Sequence, residues 1–149
     1  MTPSVREAVL VPVVLALLSF ACKSGSSTTS PSSTPTTTAP ASPTTSETFT
    51  GTLPVGGSIS YSFTVSQYGT VNATLVSISG VGVPATVMVR LGIGIIGDTG
   101  CSASASSITR AGSSSQVTAT EQPGVYCTTV SDVGNLFAPA ALTVTVDHP

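Results

Sequence analysis

The chain has 149 residues, room for one ordinary domain, and only 7% of them are Asp, Glu, Lys or Arg, against about 25% in a typical soluble protein. The formal net charge is −2, and beyond the leader only Lys23, Arg90 and Arg110 are basic. Three scattered cations cannot neutralise a run of phosphates, which excludes nucleic acid as a partner, and Ser, Thr, Gly and Val in place of long charged side chains favour strands over helices.

The chain opens with Arg6 and the amino terminus as positive charge, set against Glu7. An apolar run of 14 residues follows at 8–21 (AVLVPVVLALLSFA), shorter than the about 20 a membrane-spanning helix needs and interrupted by Pro12. That length suits the hydrophobic region of an export signal, so residues 1–21 are expected to be a signal peptide. Its end, Leu18-Ser19-Phe20-Ala21-Cys22, resembles a bacterial lipobox, with Ala21 and Cys22 in place. The resemblance implies that Cys22 is acylated and becomes the new amino terminus, holding the protein to the membrane of the cell envelope through a lipid anchor with more than one acyl chain. Ser19 and Phe20 stand where the pattern prefers Leu and a small residue. Ser19-Phe20-Ala21 also reads as an ordinary A-x-A-like cleavage site, which leaves a secreted soluble module as the alternative.

The tract after Cys22 favours lipidation, because a leash serves an anchored domain. Residues 24–46 hold 16 Ser or Thr, 4 Pro, 2 Ala, 1 Gly and no charge. Nothing there can build a core, and Pro biases such a chain toward extended conformations. Residues 22–46 are therefore expected to be a lipidated Cys followed by a disordered tether with a reach of about 70 Å. A glycosylated stalk is the alternative that this composition allows.

Residues 47–149 have the texture of short strands and turns. Phe49 and Leu53 are inward candidates in a first strand, with Gly51 as a bulge. After the turn Pro54-Val55-Gly56-Gly57, residues 58–66 (SISYSFTVS) alternate strictly: Ile59, Tyr61, Phe63 and Val65 face one way and hydroxyls the other. A strand from Thr70 carries Val71, Ala73 and Leu75 on one face, then changes phase at Val76, as a bulge would require. Residues 85–95 place Val87, Val89, Leu91, Ile93 and Ile95 together, while Gly92 and Gly94 leave room for a close neighbour or a bend. Residues 91–97 lack charge and Pro, so they belong inside a sheet. Residues 114–120 and 124–130 read as strands joined by the turn Glu121-Gln122-Pro123-Gly124, and residues 142–146 alternate again. Such spacing predicts an all-β, antiparallel β-sandwich of about seven to eight strands.

Cys101 and Cys127 remain once Cys22 is set aside. Parity and export predict a disulfide between them. Two free thiols or a metal pair are the alternatives, the latter short of partners because His148 is the only histidine.

From Phe49 onward the chain resembles the bacterial pre-peptidase C-terminal domain. The resemblance rests on Phe49-Thr50-Gly51-Thr52-Leu53, Gly57-Ser58 with Tyr61-Ser62-Phe63-Thr64-Val65, and Gly69-Thr70-Val71 with Ala73-Thr74-Leu75. It continues in Gly124-Val125-Tyr126-Cys127 and Leu142-Thr143-Val144-Thr145-Val146. It implies a small jelly-roll-like sandwich on a secreted protein, with protein or polysaccharide ligands. Some relatives bind calcium through clustered carboxylates. Here Glu47, Asp98, Glu121, Asp132 and Asp147 are dispersed along the chain, so no metal and no cofactor are expected.

No catalytic set is expected either. His148 beside Asp147 reads as a solvated pair at a frayed end, without the rigid support a general base needs. Gly92-Ile93-Gly94 lacks the later glycine and the helix of a phosphate loop. Tyr61 and Tyr126 read as core, which leaves Tyr68, before a turn glycine, as the exposed aromatic able to meet a ligand. The expected function is a non-catalytic envelope lipoprotein displaying a β-sandwich that binds protein or polysaccharide. The alternative is a structural component of a surface assembly, joined by sheet-edge pairing.

Overall fold

Period-two runs of Val, Ile, Leu and Phe turn one face of most segments toward a shared interior, and eight strands result. The computed structural model describes residues 38–149; the leader, Cys22 and residues 24–37 of the tether lie outside them. The strands are β1 (Thr45–Leu53), β2 (Ser58–Val65), β3 (Gly69–Ser79), β4 (Val89–Gly97), β5 (Gly100–Thr109), β6 (Val117–Glu121), β7 (Gly124–Asp132) and β8 (Ala140–His148). Sheet I has the order β1-β8-β3-β6 and sheet II the order β2-β7-β4-β5, with every strand pair antiparallel. Only β4 and β5 are successive strands of one sheet; each other connection crosses to the opposite sheet. This is the order of a jelly roll, and the described residues contain no helix.

Successive strands run in opposite directions. The links β1–β2, β3–β4, β5–β6 and β7–β8 therefore meet at one end, here the tip, and the remaining links at the other, the base. Between the sheets lie Leu53, Val71, Leu75, Val144 and Val146 from sheet I and Val65, Leu91, Ile93 and Val130 from sheet II, all essentially inaccessible. Each such side chain contributes about 1.5–3 kcal/mol by leaving water.

The phase change at Val76 is a bulge: β3 and β8 shift register between Leu75 and Ser77. The Gln116 side chain completes the edge there, accepting from the Leu75 amide at 2.7 Å and donating to its carbonyl at 3.4 Å. Three expectations need correction. Gly51 makes no bulge, since β1 and β8 pair without a break; the Tyr61 hydroxyl occupies the space a Cβ there would take. The fourth strand starts at Val89 rather than at 85, because the Pro84 turn, closed by Val87 N to Pro84 O at 3.0 Å, holds 84–88 out of the ladder. The expected link from Glu121 to Gly124 stands, and it joins strands of opposite sheets. Finally, the tether stops short of Ser46: Ala41 bridges Gly69 and β1 begins at Thr45.

Residues 100–109, which carry no strong strand signal, form β5. A second bulge falls between Ile93 and Gly94, opposite Ser104, whose hydroxyl donates to the Ile93 carbonyl at 3.2 Å. Past it Ile95 and Ile96 are both exposed rather than inside the sheet.

One carboxylate organises the tip. Asp132 accepts from the Gly56 amide at 2.8 Å and from the amides of Gly134, Asn135 and Leu136 at 2.9, 2.9 and 3.2 Å. The Gly56 amide does most to hold its pKa below the ordinary aspartate value; burial opposes this, and the Asn135, Leu136 and Gly134 amides add to it. A depressed folded pKa contributes stability above the unfolded value, and that stability is lost as pH falls through the folded one. Asp132→Asn is therefore expected to unfold in less urea than the parent at about pH 7, with the gap closing near about pH 2. An equal gap at both pH values would contradict this role.

Candidate binding clefts

At the base, sheet I carries a row of polar side chains across all four strands. Ser46 pairs with Asp147, Asp147 with Asn72, and Asn72 with Thr118. The Thr118 hydroxyl donates to Asn72 Oδ1 at 2.9 Å, which fixes the amide. The segment entering β1 stands beside this row, held by Thr44 N to His148 O at 3.1 Å and by the Ala41–Gly69 bridge. Between them is an open cleft of about 380 Å³ lined by Pro43, Thr44, Thr45, Ser46, Asn72 and Asp147. It offers hydroxyl donors and acceptors, one amide and one carboxylate, with one apolar ring at its rim. Farther along the same face, Thr48 and Thr145 continue the hydroxyl surface, their oxygens 3.5 Å apart.

A second cleft of about 210 Å³ lies on sheet II, lined by Ser60, Tyr61, Ser62, Ile96, Gly100, Cys101 and Cys127. The disulfide forms part of its wall. Cys101 and Cys127 are bridged, as parity predicted, with Cα atoms 5.8 Å apart. Their strands flank β4, and two strand spacings amount to about 9.6 Å. The β4–β5 hairpin must therefore fold over the outer face of sheet II to bring them together. Gly92 and Gly94 permit this: a Cβ on Gly92 would lie 2.8 Å from Ala103 Cβ, and one on Gly94 would overlap the Ser102 carbonyl. The fold-over buries Cys127 and Thr129 on what is otherwise a solvent face.

The aromatic residues divide differently from expectation. Tyr61 and Tyr126 are half-buried rather than core. Tyr61 stacks on Phe49 with ring centroids 5.0 Å apart, and burial raises its pKa. Tyr126 lies 6.1 Å from Phe63; burial and then the Glu121 carboxylate push its phenol upward. Tyr68 is half-buried in the link from β2 to β3 and lines neither cleft; its carbonyl accepts from the Ala41 amide.

His148 overturns its expectation outright. It is 4% exposed, not frayed, because it is the last inward residue of β8. Its ring lies 5.4 Å from Phe63, Nε2 is 2.9 Å from Glu47 Oε1, and Nδ1 faces the Pro149 carbonyl at 3.4 Å. The alternation of residues 142–146, continued by two positions, would have placed it inward. Among the described residues no three His, Cys, Asp or Glu side chains gather to hold a metal ion. Cys22 lies outside the described residues.

Fold and clefts together define a jelly-roll β-sandwich with a polar cleft at its base. No family model and no curated protein matches the chain.

Proposed function

We propose that this chain is a non-catalytic lipoprotein of the cell envelope, anchored at Cys22, whose sandwich binds polysaccharide through the base cleft. The row Ser46–Asp147–Asn72–Thr118 carries the reading. A carboxylate accepts from two neighbouring sugar hydroxyls, and the fixed Asn72 amide and the hydroxyls beside it supply donors, an arrangement suited to a polyhydroxylated chain lying along the open cleft. The resemblance to the pre-peptidase C-terminal domain supports the same class of ligand. The non-catalytic part is supported by His148: Nε2 is taken by Glu47 and Nδ1 by the backbone, so neither ring nitrogen faces a substrate.

The mature chain is expected to retain a subset of envelope polysaccharides on an array. Asp147→Ala should weaken that binding about tenfold or more, the worth of a charged hydrogen bond, by titration calorimetry. An array with no retained polysaccharide, or an Asp147→Ala chain that binds as well as the parent, refutes the reading.

Sheet-edge pairing with another chain is favoured by one observation. Edge strand β2 pairs with β7 over eight residues without bulge, charge or Pro, the devices that blunt such edges elsewhere.

A further inference from the structure

The tip collects features that have no part in the base cleft. Val81 is 93% exposed, Phe137 91% and Val55 51%, one on each of three links there. Those links, residues 54–57, 80–88 and 133–139, contain no charged residue. They are neighbours: the Asp132 carboxylate ties 54–57 to 133–139, the Asn135 side chain donates through Nδ2 to the Met88 carbonyl at 3.1 Å, and a Cβ on Gly80 would lie 2.8 Å from the Pro139 carbonyl.

Many of their amides have partners inside the protein. Gly57 N donates to Pro54 O, Val83 N to Gly80 O and Val87 N to Pro84 O, while Asp132 takes four more. Entry into hydrocarbon penalises backbone groups that lack internal partners, and these bonds lessen that penalty where they occur.

Charge is sorted along the same axis. Among the described residues Arg90 and Arg110 are the only Lys or Arg side chains. Both are exposed and both stand at the tip, at the start of β4 and just past β5. Glu47, Asp98, Glu121 and Asp147 all lie at the base. The tip's own carboxylate, Asp132, accepts from four backbone amides. The base has exposed apolar side chains too, Ile95, Ile96 and Val125, but none approaches the exposure of Val81 or Phe137, and they stand at the acidic end.

We propose that the tip is a membrane-docking surface: Val55, Val81 and Phe137 enter an anionic lipid surface while Arg90 and Arg110 meet its headgroups. Three separate convex points suit the yielding boundary between headgroups and acyl chains, where a protein partner would need matching pockets. Docking this way turns the base cleft outward. The proposal does not rest on polysaccharide binding, and it needs no acyl chain at Cys22.

The test uses the mature chain with Cys22→Ala, so that no acyl chain contributes, floated with vesicles of phosphatidylcholine alone or with about one third phosphatidylglycerol. The chain is expected to float with the anionic vesicles. Phe137→Ser should weaken binding roughly tenfold or more, and Arg90→Gln with Arg110→Gln should remove most of the preference for anionic lipid. Phe137 is exposed, so an unchanged circular dichroism spectrum will show that its variant folds. A chain that floats with neither vesicle overturns the proposal, as does a Phe137→Ser chain that floats like the parent. Retention of an envelope protein that is lost with Phe137→Ser, in a chain that ignores vesicles, makes the tip a protein-docking surface and overturns it equally. Asp147→Ala should leave flotation unchanged, which separates this result from that of the cleft.

Discussion

Cys101→Ala with Cys127→Ala is expected to lower the stability of the domain by about 3.5 kcal/mol, the chain-entropy value for a bridge whose ends are 26 residues apart. Against a total of about 5–15 kcal/mol for an ordinary domain, that is a large share, and it corresponds to a melting temperature lower by roughly 15 °C. The loss has a location as well as a size. The bridge draws the start of β5 across β4, so without it the base hairpin is free to lift and expose Thr129, now buried beneath it. Urea unfolding of the oxidised, reduced and doubly substituted chains checks the expectation. Identical midpoints for all three would show that the bridge constrains nothing that folding does not already fix.

Gly94→Ala should cost nearly as much, about 3 kcal/mol, at the upper end for overpacking. The atoms a new methyl would strike are backbone: the Ser102 carbonyl, and Ala103 Cα at 2.6 Å. Neither can rotate away, and moving β5 outward would strain the bridge beside it. Gly97→Ala provides the control. Its Cβ would find nothing nearer than the Gly100 carbonyl at 3.7 Å, so that variant should remain within about 0.5 kcal/mol of the parent. If both variants unfold at the same urea concentration, the hairpin does not lie as closely over β4 as described.

Much of this architecture was readable from side-chain pattern, because large apolar residues two apart leave few ways to bury themselves. Residues 58–66 and 142–146 showed it plainly, and the lost phase at Val76 announced the bulge. The β5 sequence GCSASASSIT hid its strand because Ala and Ser give almost no contrast between faces. What puts it in the sheet is hydrogen bonding to β4 and a covalent link to β7, and neither writes a local pattern. Pro123 marked a change of direction correctly, but a turn signal does not say whether the chain returns to the same sheet or crosses to the other. The clefts were less readable still. Asp147, Asn72 and Ser46 meet only through register across three strands, and their spacing in sequence carries no trace of it. His148 departs from its expectation because a position near the end of the sequence says nothing of looseness when the strand that contains it continues through His148.

The place of β8 bears on how such a chain is made. It is the eighth strand to emerge, yet it sits between the first and the third. Until it arrives, β1 has no neighbour in its sheet, and β3 has only the short β6. A chain that lacks β8 therefore cannot close its interior, and it stays threadable until that strand has emerged. Under the export proposed above, a late central strand would be a safeguard against jamming the channel through which the chain passes.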